Sequence, residues 1–182
     1  MWNRGKLVIT AIVALALVAA LFSTWYHYQH AHRSREFWGT SMAVLIAQAP
    51  EVEALRLGAA EEGPSQDQAA QGESHTVTPI EYGGRSWSVL SGKEALKAPG
   101  MSNVRRALVL DTTFDWTSPS SQLQPNWQYA LEFSDERHWA TVLFDFDSRQ
   151  VALRGGQKTA LLDPAASNDM REFFIEQFAQ PK

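Results

Sequence analysis

The chain has 182 residues, which is enough for one globular domain with additional segments but not for two full domains. It contains no cysteine, which excludes disulfides, thiolate metal sites and a cysteine nucleophile. The formal net charge is -4, and residues 58–74 carry four acidic and no basic side chains, so the remainder is formally neutral. Because nucleic-acid binding requires a concentrated basic surface, these features argue against a nucleic-acid partner.

An uncharged apolar run near the N-terminus predicts a transmembrane helix. The run is LVITAIVALALVAALF, from Leu7 to Phe22. Extended to residues 7–28, it reaches the ~20 residues that a helix needs to cross the ~30 Å hydrocarbon core. Arg4 and Lys6 precede the run, and basic residues favour the cytoplasmic side of a span. We therefore expect residues 1–6 in the cytoplasm, a single span in the inner or cell membrane with the lipid bilayer as partner, and the remaining chain outside the cytoplasm.

Aromatic and histidine residues, WYHYQHAH, follow the apolar run. Their rings have an apolar body and a polar tip, and such rings favour the headgroup level of a bilayer. A metal site is not expected here, because zinc needs three or four converging ligands, whereas His27 and His30 share a helix face from which His32 points away. The predicted membrane-interface residues are Trp25, Tyr26, His27 and Tyr28.

The same N-terminus is also compatible with a cleaved signal peptide, since a basic start precedes an apolar run. The small residues that could form a cleavage site, such as Ala16 and Ala20, lie inside the run rather than after it. Bulky aromatic residues follow instead, and these are typical of a membrane interface. The pattern favours an uncleaved anchor and leaves cleavage as the alternative.

Residues 29–57 have apolar side chains at spacings of three and four, which predicts a juxtamembrane helical segment. The residues of this stripe are Trp38, Met42, Leu45, Ala49, Val52 and Leu55. Pro50 is expected to bend the helix or to divide it in two. Two interpretations stay open: the segment packs on the C-terminal domain, or residues 34–57 bind a partner protein or a second copy of the chain.

The next segment, residues 58–74, has no large apolar side chain and is predicted to be a flexible acidic linker, because it cannot bury enough surface to offset its ordering entropy. Residues 75–182 then predict a compact domain rich in strands. Gly83 and Gly84 separate two β-like runs, as in a tight hairpin. Further strands are predicted at 104–111, 127–134, 137–146, 151–154 and 158–162.

Tight turns between the later runs predict sequential antiparallel strands, and the run at 137–146 is apolar on both faces, as in a central strand. Asp163 is a plausible N-cap for a C-terminal helix, with Pro164 at its first position. Met170, Phe173, Phe174 and Phe178 would form the apolar face of that helix. The predicted fold class is therefore α+β: an N-terminal transmembrane helix, then about five to seven antiparallel strands and a C-terminal helix.

Two pairs of aspartates are candidates for chemistry. Asp145 and Asp147 lie at a strand end on the same face, where they could hold a cation or simply form a turn. Asp111 and Asp115 could perform acid–base chemistry if their environments separated their pKa values, or they could cap the loop before Pro119. A hard-cation site requires more oxygen ligands than the sequence provides nearby, so no metal is expected.

The sequence contains none of the common nucleophile or phosphate-binding motifs, such as G-x-S-x-G, H-E-x-x-H and G-x-G-x-x-G. Trp116 begins a polar loop and is predicted to be an exposed contact residue. We therefore expect a non-catalytic interaction or accessory subunit of a membrane or envelope assembly, without a cofactor. The alternative is a small-ligand-binding domain or enzyme that uses either Asp111 and Asp115 or Asp145 and Asp147 in a tryptophan-lined pocket.

Overall fold

The computed structural model describes residues 12–23, 32–61, 79–118 and 124–179, of which residues 12–23 form helix α1. The other helices are α2 (His32–Trp38), α3 (Thr40–Gln48), α4 (Met101–Leu108) and α5 (Pro164–Ala179). The strands are β1 (Glu51–Glu61), β2 (Ile80–Tyr82), β3 (Arg85–Glu94), β4 (Tyr129–Ser134), β5 (Trp139–Asp145), β6 (Gln150–Leu153) and β7 (Thr159–Leu161). A single 3-10 turn, Asp111–Thr113, follows α4.

The strands form one seven-stranded antiparallel sheet in the order β2-β3-β1-β4-β5-β6-β7. The sheet curls so that β2 approaches the connection between β6 and β7. There, the hydroxyl of Tyr82 lies 3.5 Å from the carbonyl oxygen of Lys158, and the Arg154 guanidinium lies 3.3 Å from the carbonyl oxygen of Pro79. The α+β class, the number of strands and the C-terminal helix are thus confirmed.

The two faces of the curled sheet bury separate cores. On the outer face, apolar residues such as Phe133 and Phe144 pack against α2, α3, α4 and α5. On the inner face, Leu55, Leu143 and the rings of Trp87 and Trp127 fill the interior of the curl, and each of the two tryptophans is only 1% exposed. β5 contributes to both cores, which confirms that it is a central strand covered on both sides.

Local sequence signals at two turns are confirmed. Gly83 and Gly84 connect β2 to β3 with φ values of 59° and 80°, a left-handed conformation that glycine adopts without steric cost. Asp163 caps α5: its carboxylate accepts a hydrogen bond of 3.0 Å from the backbone N–H of Ala165. Pro164 is the first residue of α5, and Phe174 on its apolar face is fully buried.

The prediction of a helix over residues 51–57 is wrong, because these residues belong to β1, which lies between β3 and β4. Val52 and Leu55 lie on opposite faces of β1 and contribute to different cores, so the strand lacks a clean alternation and these two residues also satisfy a helical spacing. The helical part of the segment ends at Gln48, just before Pro50, and Gly39 with φ 80° separates α2 from α3. The apolar side chains of α2 and α3, among them Trp38 and Ile46, pack on the chain's own sheet.

The position of the predicted linker also changes. Residues 58–61 are part of β1, and the remainder of the 58–74 segment lies outside the described residues. Because α2, α3 and β1 share one core with the later strands, the folded domain begins well before residue 75. The 58–74 segment therefore begins within β1 and continues toward β2 of the same sheet, so it does not precede the folded domain.

The strand predicted at 104–111 is wrong as well. Residues 101–108 form α4, in which Val104 and Leu108 are four residues apart and both buried, while Arg105 and Arg106 lie between them. An amphipathic helix of two turns and a short strand have similar apolar content, and packing against α3 and α5 selects the helix.

No helix in the described parts of the chain combines the length and the apolar composition that a bilayer span requires. The predicted span at 7–28 extends past α1 on both sides, into residues that lie outside the described ranges.

Candidate functional site

An open pocket with a volume of about 990 Å³ lies at one end of the inner face of the curled sheet. Strands β1 to β6 all contribute to its walls. Its apolar walls include Leu55, Ile80, Val89 and Leu153, and its polar groups are Glu53, Glu132, Thr141 and Arg154. None of these residues was predicted from the sequence to form a site.

Two carboxylates stand side by side in this pocket. Glu53 on β1 and Glu132 on β4 are register partners, so their side chains leave neighbouring strands on the same face. Thr141 on β5 is the next partner across the sheet, and its hydroxyl donates to Glu132 Oε2 at 3.4 Å. A polar row therefore crosses three adjacent strands at this end of the inner face.

Partial burial of its carboxylate raises the pKa of Glu53, and the negative charge of Glu132 raises it further. Neither carboxylate forms an ion pair with a basic side chain of the described residues. No ion pair among the described residues therefore offsets the repulsion between the two carboxylates. A site that keeps two such groups together favours a positively charged ligand.

Gly92 on β3 makes room for the Glu53 carboxylate. A Cβ atom at this position would collide with Oε1 of Glu53 and would also press on the Leu55 side chain. Gly92 is not among the glycines with positive φ, so backbone conformation does not require glycine there. Since glycine weakens a strand interior, its presence marks a close approach, in this case of the carboxylate.

Trp139 stands at the edge of the pocket and is 68% exposed, which is unusual for so large an apolar side chain. Arg154, directly after β6, reaches the segment before β2, where its guanidinium donates to the carbonyl oxygen of Pro79. The pocket therefore combines apolar walls, an exposed aromatic ring, two carboxylates and one guanidinium.

The aspartates predicted from the sequence lie elsewhere, and each has an internal structural role. Asp111 is 9% exposed and caps α2: its Oδ1 accepts a bond of 2.7 Å from the N–H of Ser34, and its Oδ2 accepts one of 3.1 Å from the N–H of Arg33. Burial alone would raise the pKa of Asp111, but the hydrogen bonds from Ser34 and Arg33 outweigh it and lower the pKa.

Asp115 does not face Asp111. Its carboxylate accepts hydrogen bonds from the backbone and hydroxyl groups of Thr117 and Ser118, at 2.6 to 3.1 Å, and closes an exposed turn. These bonds, led by those from the two hydroxyls, lower the pKa of Asp115 well below its usual value. The structure thus does not bring this pair together for acid–base chemistry.

Asp145 is 3% exposed and accepts hydrogen bonds from the N–H of Asn126 at 2.9 Å and from the hydroxyl of Ser148 at 2.6 Å. Asp147 instead accepts a bond from the side-chain amide of Gln128. The two carboxylates order the β5–β6 turn and the segment before β4. In the described parts of the chain, no group of three or more His, Asp or Glu side chains converges as a metal site would require.

Trp116 is partly buried rather than exposed. Its indole N–H donates to the carbonyl oxygen of Asp111 at 2.9 Å, and its ring packs on Phe114 and Phe37 at centroid distances of 5.0 Å and 6.0 Å. Trp139, not Trp116, is the exposed tryptophan of the domain. The predicted membrane-interface residues Trp25, Tyr26, His27 and Tyr28 lie outside the described residues.

A comparison of the chain with protein-family models, with curated proteins and with solved structures found no match. Functional inference therefore depends on the residues of this chain.

Proposed function

We propose that the chain is a single-pass membrane-anchored protein whose N-terminus is cytoplasmic and whose α+β domain lies outside the cytoplasm. In this proposal the domain is a non-catalytic interaction or accessory subunit of a membrane or envelope assembly. The apolar run and the basic residues before it support the anchor and its orientation. The carboxylate pair and the exposed tryptophan of the pocket support the interaction role.

The observation that carries the interaction role is the carboxylate pair Glu53 and Glu132 beside the exposed ring of Trp139. Exposed aromatic residues next to unpaired charges are typical of binding surfaces. In a complex the aromatic ring is buried and contributes to affinity, and the charges pair with opposite charges of the partner. Among the described residues, the pocket walls include no histidine, serine or cysteine side chain, and the Thr141 hydroxyl donates to Glu132. The charged acidic groups of the pocket are then the two carboxylates, to which the proposal assigns a binding role.

The proposal assigns the contact to the pocket rather than to the helical segment at 34–57. The apolar stripe of that segment is buried within the chain, with Trp38 3% exposed and Leu45 7% exposed. Of its large apolar side chains, Val44 stays exposed at 52%. A surface of this kind offers little apolar area to a partner helix.

The test is purification of the full-length tagged protein from its native cells in a mild detergent, followed by mass spectrometry of the intact complex. We expect a stoichiometric protein partner that is reduced when Glu53 and Glu132 are both replaced by Gln. Glu81→Gln is the matched control, because Glu81 is an exposed strand glutamate that does not line the pocket. Recovery of the protein alone would contradict the accessory role. Protease accessibility of the domain in intact spheroplasts tests its orientation separately.

Small-ligand binding is the second candidate, and the size of the pocket favours it, because ligand sites typically measure about 300–1,000 Å³. This alternative, predicted from the sequence with Asp111, Asp115, Asp145 and Asp147, would now use Glu53 and Glu132 instead, since those aspartates hold backbone groups. A small molecule retained on the protein in native mass spectrometry would favour this candidate.

A further inference from the structure

We infer that the pocket at the end of the curled sheet receives a basic side chain, lysine or arginine, presented by a partner protein. This inference rests on the proposed function, because it names the chemical group through which the partner is recognised. It is carried by three features of the pocket: its charge, the shape of its walls, and the exposed ring at its edge.

The charge of the pocket favours a cation. Glu53 and Glu132 are direct neighbours across β1 and β4, and no basic side chain in the described ranges pairs with either. Arg154 is the one basic residue in the pocket walls that the structure describes, and its guanidinium is directed to the Pro79 carbonyl oxygen. Two carboxylates against one guanidinium leave an excess of negative charge. An ammonium or guanidinium between the carboxylates would relieve their mutual repulsion.

The walls fit the stem of such a side chain. Lysine and arginine carry three or four methylene groups that pack on apolar surface while the charged end remains at a polar site. Leu55, Val89 and Leu153 supply the apolar surface, and the carboxylates lie among them. Gly92 widens the pocket at the carboxylate itself, since any larger residue would displace the Glu53 side chain.

The exposed ring indicates that the cation arrives on a protein surface. Sites for small molecules usually enclose most of the ligand, whereas this pocket is open and Trp139 at its edge is 68% exposed. A tryptophan face attracts a cation and, in protein interfaces, tryptophan and arginine are the residues that most often dominate binding. An approaching partner would cover Trp139 while its basic side chain enters the pocket.

The test uses the full chain in detergent micelles with ¹³C-labelled glutamate. The first probe is a dye-labelled Gly/Ser peptide in which one central lysine or arginine is the only charged residue. The second is the same peptide with norleucine at that position, and the third is free n-butylamine. We expect the lysine or arginine peptide to shift the carboxyl resonances of Glu53 and Glu132, and the norleucine peptide to leave them unchanged. Replacing both glutamates with Gln should weaken peptide binding by about tenfold or more, and Glu81→Gln should not change it.

The double variant is expected to fold, because Gln keeps the length of the side chain and an oxygen that can accept from the Thr141 hydroxyl, while the repulsion between the two charges is removed. Circular dichroism checks this. Equal binding of the lysine and norleucine peptides would overturn the inference. Binding of butylamine as tight as that of the peptides would overturn the assignment to a protein-borne side chain. A partner that co-purifies equally with the wild type and the double variant would overturn the pocket inference while leaving the accessory role intact. If the protein purifies alone but binds the lysine peptide through Glu53, the pocket inference stands and the accessory role is overturned.

Discussion

The carboxylate of Asp111 fixes the start of α2 to the domain, so its removal should destabilise the fold measurably. Asp111→Ala deletes the acceptors for the backbone N–H groups of Arg33 and Ser34, at 3.1 Å and 2.7 Å, and leaves both donors without this partner. A helix N-cap contributes about 1 kcal/mol and a hydrogen bond to a charged group about 1.5–3 kcal/mol. We therefore expect the free energy of unfolding to fall by about 2–3 kcal/mol.

A series of variants separates charge from hydrogen bonding at this position. Asp111→Asn keeps the size of the side chain and one acceptor oxygen, so its loss of stability should be about 1 kcal/mol. Asp169→Ala is the control, because Asp169 is an exposed aspartate on α5, and surface changes of this kind stay within about 0.5 kcal/mol. The assay is urea unfolding of the full chain in micelles, followed by tryptophan fluorescence and circular dichroism.

The pH dependence of stability tests whether the ionised form of Asp111 stabilises the fold. The pKa of Asp111 is lower in the folded protein than its ordinary value of 3.8, so ionised Asp111 stabilises the fold at neutral pH. This contribution should be complete above about pH 5 and should be lost as the pH falls through the ordinary value toward the folded pKa. The difference between wild type and Asp111→Asn should shrink over that window. A loss for Asp111→Ala no larger than that of Asp169→Ala would refute the capping role.

Three further predictions concern the pocket and the hairpin. Gly92→Ala should displace the Glu53 carboxylate and weaken binding of the lysine peptide, while the free energy of unfolding changes by no more than about 1 kcal/mol. Fluorescence anisotropy of the peptide measures binding, and urea unfolding measures stability. Unchanged binding would contradict the role of this glycine. Glu132→Gln should lower the pKa of Glu53 toward its ordinary value of 4.5, since one of the two causes of the raised pKa is removed; a ¹³C titration that shows no change would disprove the coupling. Gly84→Val should cost about 1–2 kcal/mol, because φ is 80° there, and Ser86→Val on the adjoining strand is the control; equal midpoints in urea would argue against the tight-turn geometry.

Short-range signals in the sequence were sufficient for several elements. Gly83-Gly84 identified the first hairpin because few residues other than glycine adopt positive φ without strain. Asp163-Pro164 identified the start of α5 because an acceptor followed by a fixed φ is suited to the first helical turn. Alternation and turns identified β4 to β7, since neighbouring strands in an antiparallel meander are also neighbours in sequence. The class of the fold followed from these local patterns.

Elements and sites that depend on distant pairing could not be read in the same way. β1 resembled a helix because each of its faces contributes apolar residues to a core, and its pairing with β3 and β4 makes it a strand. Glu53 and Glu132 are far apart in the chain, and the register of β1 on β4 makes them neighbours. The curl of the sheet buries Trp87 and Trp127 and leaves Trp139 exposed, although each of the three directly follows a polar residue in the sequence. Composition and local spacing determined which elements can form, whereas strand register and sheet curvature decided which side chains meet, because those contacts join residues with no local relation in the sequence.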